Sequence, residues 1–157
     1  MKWDGTGVSM ELFTYKEGLL SKIAHDLRIT VPTPEVQFDG EELSARIDLL
    51  GLEIASAQKD GQDTSALSAG DKKKILKSLH KDALQTGRHP EVRYEATARF
   101  PDEHSAELDG KLTLHGTTRD LRIVLTQQGG RWRGEAVIHQ PDFGIKPFVA
   151  MLGALKI

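Results

Sequence analysis

The chain has 157 residues, enough for one domain to bury its own core without a disulfide or metal staple. Its 21 basic and 23 acidic residues nearly balance, so no charge excess draws it to nucleic acid or to an anionic surface. Cysteine is absent, which excludes a disulfide framework and a thiolate metal site while leaving the redox compartment open. No apolar run approaches the roughly 20 residues that span a bilayer. The opening Met1-Lys2-Trp3-Asp4-Gly5 lacks the basic, apolar, then small-residue order of a secretory signal, so a cytoplasmic location is expected.

Period-two alternation runs through most of the chain and predicts half-buried strands. Val8, Met10 and Leu12 share one face, Leu27, Ile29 and Val31 another, and Ala45, Ile47 and Leu49 a third. Around Leu49-Leu50-Gly51-Leu52 the apolar positions switch from odd to even, which predicts a β-bulge. Residues 57–67 are poor in large apolar side chains and read as a surface loop.

One helix is expected, over about 69–86. Ser68-Ala69-Gly70-Asp71 has capping-box spacing with Asp in place of Glu, and Gly87 and Pro90 stop the helix. Ile75, Leu76, Leu79 and Ala83 form its apolar face, and the Lys72-Lys73-Lys74 run reads as its solvated one.

From residue 91 the strands form a meander. Val92, Tyr94, Ala96, Ala98 and Phe100 alternate with polar residues, a Pro-Asp-Glu-His turn follows, and Ala106, Leu108, Gly110, Leu112 and Leu114 return. A Gly-Thr-Thr turn leads to Leu121, Ile123 and Leu125, and Gly129-Gly130 to Trp132, Gly134, Ala136 and Ile138. Sequential antiparallel strands with one helix suit an up-and-down barrel and not a parallel α/β sheet.

Two stretches, Leu112-Thr113-Leu114-His115-Gly116-Thr117-Thr118-Arg119-Asp120-Leu121 and Ile138-His139-Gln140-Pro141-Asp142-Phe143-Gly144-Ile145, together resemble the signature of the YceI-like family. Three further segments match in order: His25-Asp26-Leu27-Arg28 behind a Lys16-Glu17-Gly18 turn, the helix end Leu79-His80-Lys81-Asp82, and Gly87-Arg88-His89-Pro90 leading into Val92-Arg93-Tyr94. The resemblance implies an all-β fold with one main helix, a lipocalin-like antiparallel β-barrel forming a single domain over 1–157. It also implies non-covalent binding of one long lipid, a polyisoprenoid or isoprenoid quinone, for carriage or storage. Many members carry a secretory signal, so a periplasmic location applies if this chain is already processed.

The barrel interior must then have room. The short turns set Ala96 beside Gly110, Gly110 beside Leu125, and Leu125 beside Gly134, a row with almost no side chain that predicts a dry void. The expected lipid-lining residues are Met10, Leu12, Leu27, Ile29, Ile47, Leu49, Ile75, Leu79, Tyr94, Ala96, Leu108, Gly110, Leu112, Ile123, Leu125, Gly134, Ala136, Phe143 and Phe148.

Catalysis has no positive sign: there is no Gly-x-Ser-x-Gly elbow, and Asp142-Phe143-Gly144 stands without the rest of a kinase signature. His25, His80, His89, His104, His115 and His139 are never three or four apart, so neither a metal nor a cofactor is expected. His25, His115 and His139 are expected to cap the barrel rim, His104 to be solvated, and Arg119, Asp120 and Asp142 to form an ion-paired rim. Two alternatives remain open: a lipid-modifying enzyme using His25 and Asp26 or His115 as acid and base, and an interaction domain whose lumen is plugged. Relatives usually continue beyond Gly153-Ala154-Leu155-Lys156-Ile157 into a closing strand. Weakened closure there is therefore expected, with a homodimer forming through the open edge.

Overall fold

A computed structural model of the chain describes residues 7–14, 26–145, 149–150 and 155–156. The Lys16-Glu17-Gly18 turn, His25 and Phe148 lie outside the described residues.

Alternation sets the main sheet. In β7 (Glu91–Asp102) Val92, Tyr94, Ala96 and Ala98 are buried while Arg93, Glu95 and Thr97 are exposed, because successive side chains of a pleated strand leave on opposite faces. β8 (Ser105–Leu114), β9 (Thr117–Gln128) and β10 (Arg131–Glu135) follow as antiparallel hairpins. On its other side β7 pairs with β4 (Glu42–Asp48), which pairs with β3 (Glu35–Phe38), a strand that sequence reading missed. A second sheet has the order β1 (Met10–Thr14), β2 (Asp26–Val31), β5 (Glu53–Lys59), β6 (Gln62–Thr64).

The two sheets are joined by one bent hairpin, since β2 continues into β3 and β4 into β5. At the bend a 3-10 turn, Leu49–Gly51, replaces the expected bulge. The Asp48 carboxylate accepts from the Leu50 N–H at 2.9 Å, and a Cβ at Gly51 would come within 3.0 Å of the Pro32 ring. This corner is what the parity switch in the apolar positions records. The result is a curled, antiparallel, lipocalin-like arrangement with one main helix. Among the described residues no strand pairs with the outer edge of β1 or β10. The short β11 (Val149–Ala150) and β12 (Leu155–Lys156) pair with each other instead.

Two turns differ from expectation because Gly after a residue tolerant of positive φ forms a two-residue hairpin. Asp60-Gly61, with φ of 54° and 78°, turns residues 57–67 from the expected loop into the end of β5 and β6. His115-Gly116, with φ of 55° and 73°, makes the β8–β9 turn in place of Gly-Thr-Thr, so Leu114 pairs with Thr117.

Helix α1 (Ala69–Ser78) starts at the expected capping box: the Ser68 hydroxyl accepts from the Asp71 N–H at 3.1 Å, and the Asp71 carboxylate accepts from the Ser68 N–H at 3.0 Å. A single π turn, Leu79–Ala83, ends it earlier than expected, with the Leu84 N–H reaching the Leu79 carbonyl at 2.8 Å. Ile75, Leu79 and Ala83 join Leu27, Ile29, Ile54 and Ala57 in one buried cluster that extends to Val92, Leu108, Leu112 and Phe143. Each large aliphatic side chain buried this way contributes about 1.5–3 kcal/mol relative to exposure.

Candidate functional site

The strand registers define one inner face. Across the second sheet it carries Met10 and Leu12 opposite Val31 and Ile29, then Leu27 and Ile54. Across the main sheet it carries Ala45, Ile47, Tyr94, Ala96, Leu108, Gly110, Leu112, Leu121, Ile123, Leu125 and Gly134.

Burial falls steadily along this face. Leu27, Ile29 and Ile75 are fully buried where α1 covers β5, and Leu79, Tyr94, Ala96, Leu108 and Leu112 are nearly so. Ile47, Leu121, Ile123 and Leu125 are half-buried, while Trp132 at 43%, Met10 at 37% and Leu12 at 40% remain exposed on the edge strands. Leu49 is buried in the sheet corner and Phe143 in a 3-10 turn, Gln140–Phe143. Ala136 does not join β10: the ladder stops at Glu135 opposite Val124, and the exposed residues 136–138 lead to the turn headed by Pro141, which has no N–H to give a ladder.

The expected glycine row is absent. Gly110 sits between Ala96 and Leu121, not Leu125, because the two-residue turn shifts the β8–β9 register; Leu125 faces Ala106 and Gly134. Nor does either glycine leave room for a side chain. A Cβ on Gly110 would lie 2.6 Å from the Ala96 Cβ, and the space beside Gly134 is taken by the Leu125 side chain. Gly110 instead allows strands to approach closely, and the inner face is open to solvent where it is carried by β9, β10 and β1.

Tyr94 crosses β8 beneath this open region. Its hydroxyl donates to the Leu121 carbonyl at 2.8 Å, and burial pushes the phenol up to about 12. On the opposite face Arg28 clasps Asp63 through Nε at 3.0 Å and a second nitrogen at 2.9 Å, while Ser56 and Gln58 also donate to Asp63. These donors, the Arg28 guanidinium first, hold the Asp63 carboxyl well below the usual carboxylate range.

At the rim His115 meets His89, not His139: the two rings have centroids 4.9 Å apart at 56°. His115 Nδ1 lies 3.1 Å from the Phe143 carbonyl, and its Nε2 is buried without a hydrogen-bond partner among the described residues. His139 is exposed and its side chain makes no cap bond to the turn it precedes. The expected ion-paired rim takes another form: Arg119 donates from Nε to the Asp142 backbone carbonyl at 2.9 Å, and Asp120 pairs with Lys111 at 3.0 Å. His80 pairs with buried Thr86 at 3.1 Å, and exposed His104 donates its backbone N–H to the Asp102 carboxylate. Among the described residues no three His, Cys, Asp or Glu side chains converge to hold a metal ion, and no helix is long and apolar enough to cross a membrane. Sequence reading missed His89, whose only signal was its place between Gly87 and Pro90 in the family-like segment.

Known proteins resemble this chain over part of its length. Proteins named UPF0312 protein in Pseudomonas savastanoi pv. phaseolicola and Pseudomonas syringae pv. tomato are each 35% identical over 77 residues, covering 42% of this chain and 40% of theirs. One in Pseudomonas paraeruginosa is 33% identical over 75 residues, covering 41% and 39%. The chain thus spans about two fifths of the length of the curated relatives it matches. The model of the YceI-like domain matches residues 12–156, nearly the whole sequence, and the chain belongs to that family.

Proposed function

We propose that the chain, as a single domain, binds one long apolar lipid along its inner face, a polyisoprenoid or isoprenoid quinone, for carriage or storage. The observation that carries this reading is the run of large apolar side chains left part-exposed on the face that elsewhere forms the core: Leu121, Ile123, Leu125 and Trp132, with Met10 and Leu12. Contiguous exposed apolar surface marks a ligand groove or an interface. A dozen buried methylenes at about 0.8 kcal/mol each contribute on the order of 10 kcal/mol before ordering costs, enough for retention without a polar motif. Membership of the YceI-like family, whose members resemble lipid-carrying lipocalins, supports the same reading.

Binding is favoured over acid-base chemistry because His115 is turned to a backbone carbonyl and its ring lies tilted against His89. A second reading, an interaction domain with a filled interior, draws on the full burial of Leu27, Ile29 and Ile75 and the crowded surroundings of Gly110. Solvent extraction of the purified protein followed by mass spectrometry separates the two. Prenyl lipid recovered at near one per chain is expected; a lipid-free protein that also fails to take up added prenyl lipid would leave the interaction domain.

A further inference from the structure

We propose that the lysine face of α1 docks the protein on an anionic bilayer, where a cargo too insoluble to cross water is taken up and given up. This rests on the carriage reading above.

The near balance of charge over the chain conceals an uneven distribution. Residues 69–84 hold five lysines against two acids, Asp71 and Asp82, whereas the chain as a whole carries a net charge of -2. On the sheets cations and acids neutralise one another: Arg28, Arg46, Arg93, Arg99 and Arg122 each lie within 3.2 Å of a carboxylate. On α1 they do not. Among the described residues Lys111 is the only lysine in an ion pair, with Asp120, and the Asp71 carboxylate is occupied by the Ser68 N–H.

The packing of the helix gathers these charges. Ile75, Leu79 and Ala83 are buried in one cluster with Leu27, Ile54 and Ala57 of the inner face. At 3.6 residues per turn Lys73, Lys74, Lys77 and Lys81 then fall within about 100° of arc on the opposite side, a stripe about 12 Å long. All four are exposed. A bilayer held on this stripe lies about one helix diameter, roughly 10 Å, from the buried end of the inner face.

An anionic bilayer fits the stripe better than a nucleic acid does. Residues 69–84 contain no arginine, Trp, Tyr or Phe, the side chains with which nucleic-acid surfaces read or stack bases. An ammonium on a flexible stem is a point charge, suited to a fluid plane of head groups where no fixed geometry has to be matched. Each lysine beside such a surface strengthens binding about fivefold, so four together hold a peripheral contact that salt weakens.

The test uses the full chain with vesicles of phosphatidylcholine alone or in equal mixture with phosphatidylglycerol, read by flotation. Wild type is expected to float with the mixed vesicles at low salt, to leave them at high salt, and not to float with phosphatidylcholine alone. The double variant Lys73→Gln, Lys77→Gln, at exposed positions where Gln keeps the helix propensity, should weaken binding to mixed vesicles more than about tenfold. Arg131→Gln with Arg133→Gln removes the same charge from exposed positions on β10 and should change it by less than about twofold. Retention of geranylgeraniol without vesicles reads carriage alone and should be equal in all three proteins, while its transfer into mixed vesicles should slow in the lysine variant. A wild type that retains geranylgeraniol yet does not bind mixed vesicles, or equal losses in the lysine and arginine variants, overturns the docking surface while carriage stands. So does tighter binding of a single-stranded oligonucleotide than of the mixed vesicles. A wild type that retains no geranylgeraniol overturns carriage, and with it the role given to docking.

Discussion

The Tyr94 hydroxyl reaches across β8 to the carbonyl of Leu121, 2.8 Å away, and Leu121 is the cross-strand partner of Gly110. Three strands are thereby tied by one side chain beneath the open part of the inner face, at a level that β10 does not reach.

Tyr94→Phe is expected to cost about 0.5–1.5 kcal/mol, read as a shift in denaturant midpoint at constant slope. The phenol is raised above its ordinary value of 10.0 to about 12. Because the folded value lies above the unfolded one, its contribution is complete below pH 10 and declines as the pH rises from there toward 12. Ultraviolet titration should show one tyrosine ionising late, a phase absent from Tyr94→Phe.

Gly110→Ala should destabilise by about 1–3 kcal/mol, since the new methyl meets the Ala96 Cβ at 2.6 Å and the backbone beside it. Gly134→Ala should cost less, because the Leu125 side chain that fills its space ends in a methyl able to move. Equal thermal melting of the two variants would refute this account of the glycines.

Ile123→Asp and Ile75→Asp separate binding from folding. Ile123 is half-buried on the proposed lipid face, so its replacement should lower retained prenyl lipid severalfold while the fold survives. Ile75 is fully buried against β5, and a charge there should unfold the protein through an unpaired buried carboxylate. Mass spectrometry of extracted lipid beside circular dichroism reads both.

Asp63→Asn tests the clasp to Arg28. Its carboxyl is held below its ordinary value of 3.8, so the stabilisation is present above that pH and fades as the pH falls through the lower folded value. The variant should be less stable than wild type at pH 7, with the gap closing in strong acid. A gap independent of pH would show that lost packing, and not ionisation, is responsible.

The strands of the meander were legible because each buries one face only, so that Val92, Tyr94, Ala96 and Ala98 stand out at every second position. β3 was hidden because its four residues, Glu35–Phe38, hold too few repeats for a pattern, and β6 because Gln62-Asp63-Thr64 has no apolar face at all and is held through Arg28. The Gly110 neighbour was misjudged by four residues through a single turn: the His115-Gly116 hairpin was read as a Gly-Thr-Thr turn, and the His115 ring is held by the Phe143 carbonyl, a contact that no local pattern shows. The apolar residues of the inner face could be named from alternation. How exposed each of them is depends on which strands lack a neighbour, and that is a property of the whole sheet.

Strand β1, Met10-Glu11-Leu12-Phe13-Thr14, sets large apolar side chains on both of its faces: Met10 and Leu12 inward, Phe13 outward and 42% exposed. β10 is guarded by Arg131, Arg133 and Glu135, whereas β1 has only Glu11, already drawn to Arg28 at 3.2 Å. Neither strand has a neighbour on its outer side among the described residues, and charges on such an edge are the usual gatekeepers against intermolecular pairing and fibril growth. Self-association of this protein at high concentration should therefore start at Met10–Thr14, and a lysine at Phe13 would suppress it without touching the lipid face.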